Sequence, residues 1–449
     1  DMQGGNLYLN GAWATTIRHH NGKFYVGFCT PYGWGRETGH FSICIADDVK
    51  GPWERTIFPE YLYDPGLFFD EDGKVYVVHG QGTLYLTELN SDVKSVKGKP
   101  VKIWQGGFKN AHELGGGFGM EGSHMYRING KYYITCPAGG TGGWQICLRS
   151  DNIYGPYEHK LIMNDWSSYP KNGLHQGGMV QLKNGDWWFM IMQDRGPIGR
   201  VPCLVPVKWI DGWPMLGDKD GHIPNDTTLS YMSMDGICGS DDFSASGLSL
   251  YWQWNHNPVD QAWSLTDRPG FLRLKTSRVV DNLFVAPNTL TQRMVGPKCM
   301  GTVSLSLGGM KDGDRAGLSA FNGDSGVLTI EKNGNKLSLV MSEQKSVFEK
   351  TKRAISRVDM TEQARIPLNK ELVYLRVEGD FTNGRDEARF SYSLDGKTWL
   401  PVGLPIKMKF DYTRMFMGSK FAIFNYATRS VGGYVDVDSF DYSFCDASM

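Results

Sequence analysis

The sequence predicts an all-β protein, a β-propeller followed by a β-sandwich. Three observations carry this reading. A strand–turn–strand pattern recurs four times in the first half, with turn glycines Gly22, Gly73, Gly130 and Gly185 standing 51, 57 and 55 residues apart. That period fits one small antiparallel sheet per repeat. After about residue 217 the repeat stops, and short alternating strands joined by pairs such as Asn383-Gly384 and Asp395-Gly396 take over. Helical periodicity is absent throughout.

In the first copy, Trp13 to Arg18 leads through Asn21-Gly22 into Lys23 to Val26, and in the second, Asp64 to Phe69 leads through Asp72-Gly73 into Lys74 to Val77. The third is the run Met120 to Cys136, turning at Asn129-Gly130; the fourth leads from His175 through Asn184-Gly185 into Asp186 to Phe189. Asn-Gly and Asp-Gly pairs close tight hairpins because both residue types tolerate positive φ. Nine residues before the first three glycines, and ten before the fourth, stand Trp13, Asp64, Glu121 and His175. Innermost propeller strands begin near the axis, so these four side chains are expected to converge on one central pocket. Two carboxylates and a histidine meeting there make an active-site composition. Alone, Asp64 reads as a turn-forming Asp-Pro; its register with Glu121 makes it a functional candidate.

Outer-strand echoes support the repeat, since Ala46 to Trp53 resembles Ser150 to Tyr157, each with a Gly-Pro-aromatic turn. A last hairpin runs from Leu204 to Pro214, and Gly217 to Asp242, rich in Gly, Asp, Ser and Asn, reads as the linker. The expected domains are a propeller over 1–222, a linker over 223–242 and a sandwich over 243–449. In the sandwich, Ala388 to Trp399 is a clear hairpin, and Trp252, Trp254 and Trp263 are expected in the core.

At 449 residues the chain exceeds one core, and because all-β domains run large, two domains are expected. Hydrophobic residues at 41% suffice to fill both. Lys and Arg number 47 against 48 for Asp and Glu, a net charge of −1 that argues against nucleic acid or an anionic membrane as partner. No apolar run approaches the roughly 20 residues of a membrane span, and Asp1 to Gly5 is not a signal peptide. A soluble protein is expected, its compartment open, with a periplasmic or secreted setting favoured. The 8 cysteines lack the spacing of a zinc site or disulfide framework and read as buried thiols. With 14 Trp, aromatic faces are available for sugar rings, and Trp34 and Trp144, in Gly-rich loops, are candidates to rim the pocket and stack on sugar. His19, His20, His112 and His124 lack support as catalytic groups, while Glu113 and Asp165 fall in loops and are expected to be solvated.

With these motifs in view, the chain resembles glycoside hydrolase family 43, five-bladed propellers that include β-xylosidases and α-L-arabinofuranosidases. Gly11 to Ile17 resembles the family's Trp-Ala-Pro strand, Asp64-Pro65-Gly66 its Asp-Pro-Ser strand, and Glu121-Gly122-Ser123-His124 its Glu-Gly-Pro-His strand. His175 to Gly178, and Gly199-Arg200 followed by Leu204 to Val207, match two further stretches. Trp252 to Pro258, Arg268 to Leu274 and Asn288 to Arg293 resemble the β-sandwich of the xylosidase-like members. The resemblance implies an inverting hydrolase acting on plant cell-wall oligosaccharides, in which an acid and a base carboxyl stand roughly 6.5–9.5 Å apart. Glu121 would be the general acid and Asp64 its orienting neighbour. Arg200 would bind substrate hydroxyls or steady a carboxylate, Trp13 would line the sugar subsite, and His175 would face the axis near water or a calcium ion.

The family's general base is an aspartate on the first blade, before the Trp-Ala-Pro strand. Only twelve residues precede Trp13, too few for a blade, so a five-bladed type with its N-terminal blade missing is expected. Such a propeller would expose apolar flanks and an edge, and a homo-oligomer covering them is expected. The alternative is a non-catalytic carbohydrate-binding propeller that has lost its base. A fructan-cleaving enzyme ranks last, because Tyr63 precedes Asp64 and Gly122 follows Glu121 where Arg-Asp-Pro and Glu-Cys pairs would stand.

Overall fold

The computed structural model describes residues 8, 11–31, 38–105, 119–138, 143–165, 173–224, 237–349, 355–411 and 414–445. The chain divides into two compact units, one holding 10–195 and 200–228, the other 1–9, 196–199 and 229–449.

The first unit contains four antiparallel sheets of four strands, each in sequence order. Blade one is Thr15–His20 (β1), Lys23–Pro31 (β2), Gly39–Ala46 (β3) and Glu54–Phe58 (β4); blade two is Gly66–Phe69 (β5), Val75–Gln81 (β6), Thr83–Leu89 (β7) and Val96–Gln105 (β8). Blade three is His124–Ile128 (β9), Lys131–Ala138 (β10), Trp144–Ser150 (β11) and Glu158–Met163 (β12); blade four is Leu174–Gln181 (β13), Trp187–Asp194 (β14), Arg200–Ile210 (β15) and Trp213–Leu216 (β16). Asn21-Gly22 and Asn129-Gly130 take positive φ at both residues, as a tight two-residue hairpin requires.

Period-two alternation sends successive side chains of one strand to opposite neighbours. Val75 and Val77 of β6 join Phe41 and Ile43 in a cluster between blades one and two, while Tyr76 and Val78 join Met125 and Ile134 between blades two and three. A third cluster links Tyr133 and Cys147 to Phe189 and Val205 between blades three and four. Hydrogen bonds reinforce these seams. Asp70 accepts from Arg127 at 3.0 Å and from Tyr132 at 2.8 Å, and Arg149 stacks over Trp213 with its guanidinium 4.1 Å from the ring centroid.

No hydrophobic cluster among the described residues joins blades one and four. Instead, the cross-strand row Ile17, Val26, Cys44 and the neighbouring Phe28 and Ile57 lie on the side of blade one away from blade two. Val180 with Trp188, and Met190 with Leu204, lie likewise on blade four. Ile17 is 53% exposed, Ile57 58% and Met190 51%, so both outer faces are apolar and wet.

The second unit is a sandwich of a seven-stranded and an eight-stranded antiparallel sheet. Val303, Leu305, Leu375 and Val377 from one layer meet Leu318, Leu328, Ile330 and Met341 from the other. Trp252 is buried, and Trp254 and Trp263 pack on the same core with centroids 5.3 Å apart. This unit begins before 243: Cys238 lies in its core, and Asp241 bridges to Phe440 and accepts from Trp252 Nε1 at 2.8 Å. Tyr8 belongs to it too, donating to Phe284 O at 2.6 Å, whereas the expected propeller range began at residue 1. Cys29, Cys136, Cys147, Cys238 and Cys299 are buried and free, and Cys44 and Cys203 are free and half-buried. No helix among the described residues is long and apolar enough to cross a membrane.

Candidate active site

Asp64 and Glu121 stand just before β5 and β9, and one glycine lets those strand starts meet. A Cβ on Gly66 would lie 1.9 Å from Ser123 O, so the chain after Asp64 runs against the chain after Glu121 only because residue 66 has no side chain. Asp64 is 3% exposed, with φ of +47°, a conformation that aspartate tolerates better than most residues and that recurs at functional sites. Gln176 Nε2 donates to its Oδ2 at 2.7 Å. The Cys29 thiol is pushed up to about 12, first by burial and then by the Asp64 charge.

Glu121 is half-buried, and its Oε2 accepts two hydrogen bonds, from Gln81 Nε2 at 2.7 Å and Tyr63 Oη at 3.1 Å. Gln81 ends β6, and the next residue, Gly82, donates its N–H to Met120 O at 2.8 Å, which fixes the strand end beside the glutamate. Trp13 meets the Tyr63 ring edge-on at 6.2 Å, so an indole flanks the tyrosine that grips the acid. Asp64, Glu121 and Trp13 are thus connected through Tyr63 and its neighbours.

His175 and Arg200 form a separate group around Asp194, a residue not singled out from the sequence. His175 Nε2 lies 2.9 Å from Asp194 Oδ2, a close polar approach without the angle of a good hydrogen bond, and Arg200 Nε lies 3.1 Å from Oδ1. Burial alone would raise the Asp194 carboxyl, but His175 and Arg200 outweigh it and hold the group below its ordinary value. His175 is buried and turned to Asp194, and among the described residues no three His, Cys, Asp or Glu side chains gather as metal ligands.

His124, beside Glu121, is pushed down to about 3 by burial and by Arg18, whose Nη2 lies 3.4 Å from Nδ1. Burial and the neighbouring guanidinium both favour its neutral form.

Two expectations are corrected. Trp144 is no pocket-rim residue; it opens β11 and is fully buried among Phe68, Tyr76 and Met120, because its strand alternates into the seam between blades two and three. Asp165 is not solvated; it is fully buried, accepting from the Ile223 N–H at 2.7 Å and facing His222 Nδ1 at 3.2 Å. Trp34, His112 and Glu113 lie outside the described residues.

Residues 1–214 match the family model Glycosyl hydrolases family 43, and residues 240–443 match Beta xylosidase C-terminal Concanavalin A-like domain. A putative β-xylosidase of Xylanibacter ruminicola is 33% identical over 90% of this chain and 72% of its own length. A non-reducing end α-L-arabinofuranosidase of Bacteroides ovatus is 30% identical, over 76% of this chain and 66% of its own. A solved bifunctional GH43-CE protein of Bacteroides eggerthii superposes with a TM-score of 0.85 at 36% identity, covering all of this chain, which spans 57% of that one. With Asp64 and Glu121 brought together at the heads of neighbouring blades, these likenesses show that the chain belongs to glycosyl hydrolases family 43.

Proposed function

We propose that the chain releases xylose or arabinofuranose from xylan-derived or arabinose-containing oligosaccharides, with Glu121 as general acid. The observation that carries this reading is the double grip on Glu121 Oε2 by Gln81 and Tyr63. Both donors suit an oxygen that accepts in either protonation state, so the transferable proton belongs on Oε1, aimed at the leaving glycosidic oxygen. Asp64 supplies a fixed carboxylate beside the acid, Trp13 offers a sugar-facing indole, and Arg200 bears on substrate through the group it forms with Asp194. The named relatives support both sugars.

Inverting hydrolysis also needs a base that activates water on the opposite face of the sugar ring. We assign it to a group that a neighbouring copy of the chain brings against the apolar outer faces of blades one and four, the place a further blade would fill in the five-bladed type. Exposed apolar patches of this kind mark interfaces. Light scattering tests the assembly, and a monomer with full turnover argues against a base supplied by a neighbour.

Release of nitrophenol from aryl β-xylopyranoside and aryl α-L-arabinofuranoside tests the function. Turnover lost in Glu121→Ala supports it, and the better substrate names the sugar. A folded chain that binds xylo-oligosaccharides without turning over either glycoside would favour a carbohydrate-binding propeller.

A further inference from the structure

We infer that Gln176 is a positioning residue of the active site, acting through Asp64 and holding it in register with Glu121. The inference rests on the roles proposed above for Asp64 and Glu121. Gln176 lies on β13, at a register irregularity between Leu174 and Gly177. Bulges of this type re-aim side chains and recur beside active sites. Its amide crosses to Asp64, donating Nε2–H to Oδ2 at 2.7 Å. Its chain passes over Gly122: a Cβ there would fall 2.4 Å from Gln176 Cγ, 2.5 Å from Cδ and 2.8 Å from Nε2.

One side chain of blade four therefore touches the partner carboxylate and the residue directly after the acid. Asp64 is nearly buried, and a buried charge costs free energy unless hydrogen-bonded. An amide donor favours its ionised form and fixes its orientation. A carboxylate free to rotate would present a different field to Glu121 in each rotamer. By lying flat on Gly122, the glutamine also fixes the peptide from which the Glu121 side chain departs. Gln81 holds the acid itself, Gln176 holds its neighbour, and they come from different blades.

The variant Gln176→Met keeps an unbranched chain over Gly122 and removes the donor. Expected are a fall in kcat of about tenfold with KM changed far less, and an acidic limb of the pH–rate profile displaced toward higher pH. In the Asp64→Ala background, which has no side-chain acceptor, Gln176→Met should cost nothing further. A multiplicative loss in the double variant, or an unmoved pH profile, overturns the inference. Urea unfolding as a function of pH reads the same contact without turnover. The stability difference between the parent chain and Gln176→Met should be present at neutral pH, shrink on acidification as Asp64 takes up a proton, and vanish in the Asp64→Ala background. A difference independent of pH and of Asp64 also overturns it. Absent turnover in the parent chain strikes the proposed function alone, since the unfolding series still decides the role of Gln176.

Discussion

Gln81 and Glu121 face one another across the seam between blades two and three, Nε2 to Oε2 at 2.7 Å, with Tyr63 adding its hydroxyl to the same oxygen at 3.1 Å. Losing the shorter bond leaves the carboxyl with one donor among the described residues and a freer rotamer. Gln81→Met should lower kcat about tenfold with little effect on KM, and Tyr63→Phe, at the longer contact, should cost less. Steady-state kinetics on the better aryl glycoside checks both. Equal losses in kcat and substrate affinity would mean that the pair binds substrate.

Gly122 combines φ of +57° with the Gln176 side chain packed on its Cα. A Gly122→Ala change meets backbone strain and a clash, expected to cost about 2–4 kcal/mol. Gly130 has φ of +78° and open space where a Cβ would be, so Gly130→Ala meets strain alone, about 1 kcal/mol. Urea denaturation of the two variants separates the contributions. Equal costs would show that the packing at Gly122 is inconsequential.

Asp194→Asn should destabilise the chain by about 3 kcal/mol at neutral pH, because a nearly buried ionic group loses its charge. The carboxyl is held below its ordinary value in the fold, so its stabilising contribution is fully present above about pH 4, where the unfolded chain is already ionised. It is lost as pH falls through the folded value. Unfolding curves of the two proteins should therefore converge in acid, and a gap that persists there would show that the asparagine acts through shape.

His79, bonded to Thr87 at 2.9 Å, is pushed down to about 4 by burial. On acidification the unfolded chain takes up this proton near pH 6.5 and the folded chain does not, so stability falls between about pH 6.5 and about pH 4, by up to about 3 kcal/mol. His79→Gln should flatten that slope. Urea midpoints at about pH 4.5 and about pH 7.5 for both proteins provide the comparison.

The indoles of Trp13 and Trp144 should separate by phenotype. Trp13→Ala should raise KM about tenfold with a small loss of stability, as expected for a sugar platform. Trp144→Phe should leave KM unchanged and cost about 1–3 kcal/mol, since it opens space in a closed seam. KM and thermal midpoints measured together check the pair, and a KM effect at Trp144 would return it to the pocket.

The blades were legible because each repeat carries its own turn chemistry. Asn-Gly and Asp-Gly sit between runs of period two, and Trp13, Asp64 and Glu121 stand at fixed offsets from them. His175 differs, lying inside β13, in the irregular stretch between Leu174 and Gly177. Asp194 was readable in principle: it pairs directly with Arg200 across a hairpin, an acid opposite a base on neighbouring strands. Gln81, Tyr63 and Gln176 were not readable, because their contacts cross from blade to blade and depend on how sheets pack. Trp144 was misread because glycines precede it; the apolar alternation after it was the better guide. Asp165 was misread for a related reason, since a polar residue beyond a strand end is buried when a distant backbone N–H needs an acceptor.

Among the described residues, the propeller's hydrophobic clusters belong to seams, none to a single blade. Tyr25 and Phe41 need Val77, Tyr76 needs Ile134, and Tyr133 needs Phe189. Cohesion is then a nearest-neighbour quantity, as in a linear array of repeats. A change in blade number at either end of such an array leaves every interior seam intact. Excising a middle blade would force together two surfaces whose side chains were shaped for other partners. The pairing of Asp64 with Glu121 spans one of those interior seams and persists with it.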